Sequence, residues 1–581
     1  MIAAAGDRFV AVVGRRGRFL VAEPLFERRG QVGLARGSGR ARAGEMALVE
    51  RASGGARILA ELGRPDVARD VVGALLADRG LRPGFPRRLE DDAREAAVTA
   101  GARNDARRDL TRLATFTVDP ASARDFDDAV SAEADGDRIR LWIHIADVAA
   151  HVRPGTALDA AARERANSTY VPGTVVPMLP EALSGDACSL APHVERLAVT
   201  AEILLKPDGE VASASFYRSR IRSDERLNYD QLDRFFGGTE APPASIAEPL
   251  ELARRAAATL AERRVGSALD VSSTEPEFEF DEDGHVTAAR AVEQTEAHSL
   301  IEQLMILTNE GVAQLCERRG VPTLYRVHEQ PDPSRIAALV ERLAALDIPT
   351  PPLPENLAPR EAGELAAAAS RLALAEAERR GHGAAAYTSL VLRSLKPAFY
   401  TNANLGHAGL GSPAYSHFTS PIRRYPDLIA HRALLSLLGA GEDEPDRAAV
   451  REAGPWCSER EREAMVIERD ADKVCASFLL ERELFEGGWK RPFDGEVSGV
   501  IAAGAFVRFG GELGDVYEGF VPARRLRGER FELNQTETAL VGTKTGRTVR
   551  LGDPLRVLVD GVEAARGRVD LLPFERPDDE R

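Results

Sequence analysis

The sequence predicts a multidomain α+β protein, in which a central domain of mixed sheet and helices lies between two small β-barrels of the OB type. The chain has 581 residues, which is enough for several domains. Short strand-like runs separated by glycine occupy both ends of the chain, whereas helical patterns dominate the middle. A hydrophobic share of 44% and a charged share of 29% are ordinary for a globular protein.

The first barrel is predicted in residues 1–62. Residues 9–13 and 18–22 are strand-like and flank Gly14-Arg15-Arg16-Gly17, a pattern typical of a β-hairpin. Three more short apolar runs follow, so that about five strands are predicted, as in an OB barrel. Arginines and phenylalanines among these strands would suit single-stranded nucleic acid, although a purely structural barrel is the alternative.

Residues 63–110 are predicted to form a helical connector that is interrupted at Pro83 and Pro86. The central domain, residues 111–487, begins with a strand at residues 114–118 that leads into an acidic run. Asp135-Gly136-Asp137 predicts a hairpin turn, and the strand that returns from it places the acidic run on or beside a sheet.

Later segments complete the predicted domain order. Apolar periodicity predicts helices at residues 296–318, 334–346 and 361–380, and residues 457–486 are predicted to form a further, charged helix. Strand-like runs return from Phe493 and predict a second five-stranded barrel over residues 488–575. Residues 576–581 are predicted to be a disordered tail.

The acidic run contains four carboxylates within a short stretch: Asp119, Asp125, Asp127 and Asp128. Carboxylates this close repel each other, and bound divalent cations offset the repulsion. Oxygen ligands favour magnesium, calcium or manganese over zinc, and two such ions can cleave phosphodiesters. Taken alone, the run is more often a solvated acidic turn, which stays the alternative.

A second segment surrounds two adjacent arginines, Arg423 and Arg424. Thr419 or Ser420 is predicted to cap a helix that has a proline in its first turn. A helix N-terminus beside arginines is typical of an anion site, and the guanidinium of Arg423 is predicted to hold phosphate. Arg424 has the alternative of pairing with Asp427.

Tyr170 opens a segment with three prolines that ends at Pro180, and we interpret this segment as an extended loop. The tyrosine could stack on a base, with a buried structural tyrosine as the alternative. His144, His417 and His431 have apolar or helical surroundings and no partner at metal-binding spacing, so we interpret them as structural.

The overall charge and the cysteines limit the functional classes. A net charge of −15 argues against a uniformly basic surface but leaves room for a local basic groove. The four cysteines are far apart, which argues against a zinc site or a disulfide framework. No apolar run approaches the roughly 18 residues of a membrane span, and no secretory signal is visible. We therefore expect a cytoplasmic protein without a membrane partner.

In order along the chain, several segments resemble the ribonuclease II/ribonuclease R (RNB) family and cover roughly residues 110–435. The matching segments are Thr117 to Asp128, Ile143 to Val148, Tyr170 to Pro180 with Leu183-Ser184 and Cys188-Ser189-Leu190, Ile301 to Met305 with Asn309, and His417 to Arg424 with His431-Arg432. The family places cold-shock-like OB barrels before its catalytic domain and an S1-like barrel after it.

The resemblance implies a 3′→5′ processive exoribonuclease of RNA turnover that hydrolyses single-stranded RNA to nucleoside 5′-monophosphates with Mg²⁺, for which Mn²⁺ can substitute. It implies that the four aspartates surround the metal and that Asp127, Asp128 and Arg423 are catalytic. The residues expected to contact RNA are Tyr170, Glu302, Arg423, Arg424, Phe506 and Arg508. Gln303 replaces a second glutamate that is common in the family. We expect the enzyme to be a monomer.

Several alternatives stay open. The sequence shows one N-terminal barrel, without the helix-turn-helix extension or the basic tail of the long ribonuclease R form, so either subtype is compatible with it. A non-catalytic RNA-binding regulator would be favoured if the aspartates were replaced, but all four are present. A metal-dependent endonuclease or phosphodiesterase would release internal fragments rather than mononucleotides.

Overall fold

The structure is a computed structural model that describes residues 8–27, 29–35, 41–52, 55–101, 106–264, 275–511, 514–526 and 528–574. Within these ranges the chain has the predicted α+β architecture, with a β-barrel on either side of a mixed sheet and its helices. Each helix in these ranges is either too short or too polar to cross a lipid bilayer. The predicted disordered tail, residues 576–581, lies outside the described residues.

The N-terminal barrel consists of β1 (Arg8–Arg16), β2 (Phe19–Pro24), β3 (Val32–Gly33), β4 (Met46–Ala52) and β5 (Gly55–Gly63). The strand order is β3-β2-β1-β4-β5, and a bridge between Leu34 and Ala56 closes the ring as in an OB barrel. The predicted first hairpin is confirmed, but its turn is shorter than predicted, since β1 continues to Arg16. Gly17 has a φ of +62°, which a two-residue hairpin turn requires at its first position.

Two helices, α1 (Ala68–Asp78) and α2 (Arg87–Gly101), follow the barrel and confirm the predicted helical segments. The next elements are β6 (Arg108–Asp109), β7 (Phe116–Asp119), β8 (Asp128–Asp135), β9 (Arg138–Ala146), α3 (Val148–His151), α4 (Ala157–Arg165), β10 (Thr169–Val171), β11 (Thr174–Val176), β12 (Glu195–Leu205), β13 (Val211–Arg222) and β14 (Glu225–Asn228).

The central sheet has the order β14-β7-β8-β9-β12-β13-β6. Strands β7, β8, β9, β12 and β13 pair antiparallel, whereas β14 and β6 pair in parallel at the two edges. The predicted turn between β8 and β9 is confirmed, with Gly136 at a φ of +67°. Apolar side chains of the sheet, among them Phe116, Ile143 and Ile145, form the main core.

The central domain continues with α5 (Tyr229–Phe236), α6 (Ala247–Arg264), β15 (Glu275–Phe280), β16 (Val286–Val292), α7 (Glu296–Arg319), β17 (Tyr325–Val327), α8 (Pro333–Ala345), α9 (Pro359–Arg380), α10 (Ala384–Ser394), β18 (Phe399–Thr401), α11 (Tyr425–Leu437) and α12 (Arg447–Gly487). Helices α7, α8 and α9 confirm the three helices that were predicted from apolar periodicity. Helix α12 begins at Arg447 rather than at the predicted Cys457, because Asp446 caps it by accepting from Ala449 N at 2.8 Å.

The C-terminal barrel consists of β19 (Gly495–Ile501), β20 (Gly504–Gly511), β21 (Gly514–Pro522), β22 (Phe531–Leu533), β23 (Ala539–Gly542), β24 (Thr548–Arg550), β25 (Val557–Glu563) and β26 (Arg568–Pro573). Its main sheet has the order β19-β20-β21-β26-β25, and the prediction of five strands for the whole barrel is wrong, because its described residues form eight. The sequence did not predict the additional sheet β22-β23-β24.

A second apolar core joins the two barrels to the central domain. It contains side chains from the N-terminal barrel, α1, the hairpin β15–β16, α12 and the C-terminal barrel, including Val10, Leu75, Cys475, Val507 and Leu571. Burial of these side chains fixes both barrels against the long helix α12.

Candidate active site

The four aspartates lie where two neighbouring strands of the central sheet meet. Asp119 is the last residue of β7 and Asp128 is the first residue of β8, and the loop between them carries Asp125 and Asp127. The backbone carbonyl of Asp127 accepts from Ala146 N of β9 at 2.9 Å, which extends the sheet pairing. The prediction that the acidic run lies beside a sheet is therefore confirmed.

Side chains from two other segments fix the loop between β7 and β8. The Ser189 hydroxyl accepts from Phe126 N at 3.1 Å and donates to the Arg124 carbonyl at 2.8 Å. Arg226 donates to the carbonyl groups of Pro120 and Ala121 at 3.1 and 2.7 Å. These bonds hold the loop in one shape, and they explain why the Cys188-Ser189-Leu190 segment accompanies the acidic run in the sequence.

Asp127 connects the acidic loop to the arginine segment. It is 3% exposed, and its Oδ1 accepts from Ile422 N at 2.8 Å. Its Oδ2 accepts from Arg423 Nε at 3.3 Å. The two segments that the sequence singled out separately thus form one site.

The predicted helix start in the arginine segment is wrong. Helix α11 begins at Tyr425, and the preceding residues form a separate turn in which Arg423 N and Arg424 N donate to the Ser420 carbonyl at 3.3 and 3.0 Å. The Arg423 carbonyl instead accepts from Ser168 N at 2.9 Å, outside any helix. Helix α11 therefore begins after both arginines rather than before them, and Arg423 itself stays the candidate phosphate ligand.

The two arginines differ in their surroundings. The Arg423 side chain is 46% exposed, and its Nη2 donates to the Ser420 hydroxyl at 3.2 Å. Arg424 Nη2 donates at 2.8 Å to Asp427, whose side chain is fully buried. The alternative that the sequence left open for Arg424, an ion pair with Asp427, is confirmed. A contact of Arg424 with RNA stays a prediction.

Tyr170 lies on a β-hairpin, so the prediction of an extended loop is wrong. Strands β10 and β11 pair on either side of Gly173, which has the positive φ of +77° that the turn requires. The tyrosine is 40% exposed, which excludes the alternative of a buried side chain. Its hydroxyl donates to Asp125 Oδ2 at 3.0 Å, and its backbone N donates to Glu468 Oε1 at 2.8 Å. The ring therefore stands beside the aspartates with part of its surface available for stacking.

Burial makes the aspartate cluster costly to ionise. Burial raises the pKa of Asp119 well above its ordinary value, and the neighbouring carboxylates Asp128 and Asp127 raise it further. Burial also raises the pKa of Asp127 well above its ordinary value, although the Arg423 guanidinium opposes that shift. The pKa of Asp128 is raised by burial to about 6. A bound cation would remove this penalty.

In the described part of the chain, no three Asp, Glu, His or Cys side chains stand close enough together to enclose a metal ion. Two carboxylates instead accept protein donors, Asp125 from Tyr170 and Asp127 from Ile422 and Arg423. The donor chemistry fits a hard divalent cation, because all four groups are carboxylates and two have strongly raised pKa values. Asp119 Oδ2 is moreover buried without a hydrogen-bond partner among the described residues. Metal ligation by the four aspartates stays a prediction.

The sequence did not identify Tyr229 as part of this site. Burial raises the pKa of its hydroxyl, and Asp128 and Asp119 raise it further, which places Tyr229 in the field of the cluster. Its ring stacks on His298 with centroids 4.0 Å apart. The parallel pairing of β14 with β7 brings Tyr229 to the site, because it sets Asn228 opposite Asp119 and Tyr229 follows Asn228 in the chain.

Glu302 lies on α7 with an exposed side chain. Among the described residues, no hydrogen bond or ion pair joins it to the four aspartates. The neighbouring Gln303 is 8% exposed, and its Oε1 is buried without a partner among the described residues. A contact of Glu302 with RNA stays a prediction.

The three histidines interpreted as structural are buried or partly buried, and each is hydrogen-bonded to a protein group. The partners are the Thr200 hydroxyl for His144 at 2.9 Å, the Tyr400 hydroxyl for His417 at 2.7 Å and the Phe418 carbonyl for His431 at 2.9 Å. Their structural interpretation is confirmed.

Phe506 and Arg508 lie on one face of β20, opposite to the buried Ala505, Val507 and Phe509. Both are partly exposed, and the ring of Phe506 lies 5.0 Å from the ring of Phe520 on β21. Arg508 stands between Glu496 and Glu518 on the adjacent strands. An aromatic pair beside an arginine is a suitable platform for single-stranded RNA.

Comparison with known domain families gives a match to the RNB domain over residues 107–440, which is more than half of the chain. The chain belongs to the RNB family. Residues 491–572 of this RNB protein match the S1 RNA binding domain, in agreement with the C-terminal barrel.

Relatives of this RNB protein include ribonuclease R of Escherichia coli, which is 34% identical over 492 residues, or 81% of this chain and 58% of that protein. Ribonuclease R of Aquifex aeolicus is 35% identical over 478 residues, or 81% of this chain and 65% of that protein. The chain therefore spans less than two thirds of the length of either relative.

The fold is similar to that of Mycoplasma genitalium RNase R, solved in complex with ribose methylated single-stranded RNA. The two structures superpose with a TM-score of 0.86 at 24% sequence identity, over 99% of this chain and 90% of that chain. At this identity the likeness shows a shared fold.

Proposed function

We propose that this RNB protein is a 3′→5′ exoribonuclease that degrades single-stranded RNA processively to nucleoside 5′-monophosphates. The observation that carries the proposal is the contact between Arg423 and Asp127. It sets a half-exposed guanidinium against Asp127 of the acidic run, near the partly exposed ring of Tyr170. The names of the relatives, ribonuclease R, support the same activity.

Magnesium is the cofactor that we propose, with manganese as a substitute, and Asp119, Asp125, Asp127 and Asp128 are its proposed ligands. Such ions, when bound, supply activation of water and stabilisation of the leaving oxygen. The chain's own contribution is to hold four carboxylates on adjoining strand ends and one loop, with Asp127 buried and the other three partly buried. The raised pKa of Asp119 and the partnerless Asp119 Oδ2 support this assignment.

Arg423 is proposed to bind the phosphate of the terminal nucleotide. Its Nε is committed to Asp127 and its Nη2 to Ser420, while Nη1 makes no hydrogen bond to another described residue. Held by two bonds, the guanidinium is already oriented, so little rotamer entropy is lost when it binds phosphate. We propose that Arg423, Asp127 and Asp128 together form the catalytic group.

Tyr170 is proposed to stack on the terminal base. Burial and the nearby Asp125 carboxylate raise the pKa of its hydroxyl, which therefore stays protonated and keeps donating to Asp125. The same side chain thus links base binding to the orientation of a metal-binding carboxylate. Stacking on an aromatic ring tolerates every base, as an exonuclease of broad sequence range requires.

The two barrels are proposed to guide single-stranded RNA toward this site, with Phe506 and Arg508 as contacts in the S1 barrel. Glu302 and Arg424 are further proposed RNA contacts.

We propose the domain division 1–62, 63–110, 111–487 and 488–575, with residues 576–581 as a tail. All four cysteines are buried and unpaired, which favours a reducing compartment such as the cytoplasm. We propose that the enzyme acts there as a monomer.

Product analysis with labelled RNA tests the proposed function. A single-stranded RNA labelled at its 3′ end, incubated with Mg²⁺ and the protein, should release its label as mononucleotide in the first turnover. Internal fragments would identify an endonuclease, and binding without cleavage would identify a non-catalytic regulator. A duplex with a 3′ overhang, digested in parallel, distinguishes an enzyme that unwinds structured RNA from one that stops before the duplex.

A further inference from the structure

A groove of about 400 Å³ lies beside the C-terminal end of α12, and we call it the acidic groove. Its α12 wall contains Phe478, Glu481, Phe485 and Glu486. The opposite wall comes from the turn between β15 and β16, with Asp281 and His285, and from Asp66 ahead of α1. Three separate parts of the chain therefore build one surface feature.

Phe485 of the groove wall forms an exposed aromatic pair with Trp489, which lies outside the groove lining. Phe485 is 72% exposed and Trp489 is 37% exposed, and their rings meet edge to face with centroids 5.8 Å apart. Phe485 is the most exposed aromatic side chain of the described residues. Aromatic rings left in water at the edge of a groove are typical of a surface that binds a partner.

The charge of the groove is mostly negative. Four carboxylates line it, and three of them have partners within the chain: Glu486 pairs with Arg482 at 3.0 Å, Asp281 Oδ2 lies 3.4 Å from His285 Nδ1, and Asp66 pairs with Arg64. Glu481 makes no hydrogen bond or ion pair with another described residue, and burial raises the pKa of its carboxyl. A cation placed in the groove would therefore give Glu481 an ion-pair partner that the described residues do not provide.

We propose that the acidic groove is the docking site of an arginine- or lysine-bearing segment of a partner protein. A basic side chain would pair with Glu481 while its charge lies against the ring of Phe485, a contact that combines an ion pair with a cation–π interaction. RNA is the less suitable occupant, because its phosphates would meet the unpaired carboxylate of Glu481 in a groove whose wall carries four carboxylates. The proposal does not depend on the exonuclease function.

Binding of a labelled basic peptide tests the proposal. Fluorescence polarisation of fluorescein-labelled nona-arginine with the full chain, at near-physiological salt, gives the dissociation constant. Phe485→Ser and Glu481→Gln should each weaken binding about fivefold, which corresponds to roughly 1 kcal/mol. Phe485 is exposed, so its replacement should leave the melting temperature almost unchanged. Glu481→Gln removes the unpaired carboxylate and leaves the Phe485–Trp489 pair intact.

Matched variants outside the groove serve as controls. Val98 is 76% exposed on α2, and the Glu452 side chain is 70% exposed near the start of α12. Val98→Ser and Glu452→Gln should leave peptide affinity within twofold of the unmodified protein. Equal dissociation constants for groove and control variants would overturn the proposal. So would a loss of affinity for a labelled single-stranded RNA in Phe485→Ser with peptide binding unchanged, because the groove would then be an RNA contact.

Discussion

Arg423 Nε donates to Asp127 Oδ2 at 3.3 Å, which joins the arginine segment to the acidic loop across 296 positions of the sequence. Ile422 N donates to the other oxygen of the same carboxylate at 2.8 Å. The candidate phosphate ligand and a candidate metal ligand are therefore positioned by each other. A substitution that displaces either side chain should therefore weaken both phosphate binding and metal binding.

Replacing Arg423 should reduce turnover without unfolding the protein. Arg423→Ala removes the group that is proposed to hold phosphate, and loss of one such donor typically slows the reaction roughly a hundredfold or more. Arg423→Lys keeps the charge but loses the planar fork, so a large loss of kcat is still expected. Single-turnover degradation of labelled RNA measures the effect. A variant Arg423→Ala with normal kcat would contradict the assigned role.

The neighbouring Arg424, which is also a proposed RNA contact, should in addition affect the stability of the fold. Its partner Asp427 is fully buried, and Arg424→Ala would leave that carboxylate without its counterion at a cost of about 3 kcal/mol. Denaturant unfolding measures the free-energy loss. Adding Asp427→Asn to Arg424→Ala should restore part of it, because the uncompensated charge is removed. Full stability of Arg424→Ala would show that the pair contributes little.

Metal binding should depend on pH. The pKa of Asp128 is about 6, and the pKa values of Asp119 and Asp127 are also raised, so protons compete with Mg²⁺ in acid. The apparent affinity for Mg²⁺ should fall as the pH is lowered through about 6. Titration of activity against magnesium at several pH values measures this shift. An affinity independent of pH between 5 and 8 would contradict the carboxylate site.

In the absence of metal, the raised pKa of Asp128 should make the fold less stable as the pH rises, whereas the affinity for Mg²⁺ should increase over the same range. A carboxyl whose folded pKa is raised stabilises the fold while it is protonated. For Asp128 that contribution is lost as the pH rises from its ordinary pKa of 3.8 through about 6. In EDTA, Asp128→Asn should therefore gain stability relative to the unmodified protein at neutral pH and not at pH 4. Thermal unfolding across this pH range gives both curves.

Tyr170 has two separable roles. Tyr170→Phe keeps the ring and loses the hydrogen bond to Asp125, so it should affect kcat more than KM. Tyr170→Ala also loses the stacking surface, which is worth about 1–3 kcal/mol per base, and KM should rise about tenfold or more. Steady-state kinetics on a short single-stranded RNA distinguishes the effect on kcat, which comes from the hydrogen bond to Asp125, from the effect on KM, which comes from stacking. Identical KM values for both variants would exclude stacking on this ring.

The S1 barrel should contribute to affinity through Phe506 and Arg508. Arg508→Ala should reduce the slope of log affinity against log salt by about 1 if the arginine contacts phosphate. Phe506→Ala should weaken binding at every salt concentration while leaving that slope unchanged. RNA binding measured in the absence of metal, where no cleavage occurs, provides both values. An unchanged slope in Arg508→Ala would indicate that Glu496 and Glu518 already neutralise it.

The parts of the fold with strong local signals could be predicted from the sequence. Glycine turns marked the strands of the N-terminal barrel, and apolar periodicity marked α7, α8 and α9. The start of α12 could not be predicted, because Pro455 lies within it and suggests a later start. Contacts with β18 hold the helix together on both sides of Pro455. The Ser458 hydroxyl, for example, accepts a hydrogen bond from Tyr400 N of β18 at 2.8 Å.

The candidate site was predictable where its residues are neighbours in the sequence. The four aspartates form one run, and Arg423 lies in a recognisable segment. Tyr229 was missed because the register of β14 against β7 brings it to the cluster, and no local pattern encodes that register. The helix start was misplaced because the Arg423 carbonyl pairs with Ser168, a partner that only the folded chain supplies.

The four aspartates are proposed to be the metal-dependent active site of an exonuclease. The most direct test compares the unmodified protein with Asp128→Asn on 3′-labelled single-stranded RNA in excess Mg²⁺, with RNA binding measured in parallel. Loss of a metal ligand should remove several kcal/mol of transition-state stabilisation, and mononucleotide release should fall about a thousandfold or more while RNA affinity persists. Undiminished release of mononucleotides by Asp128→Asn would contradict the account.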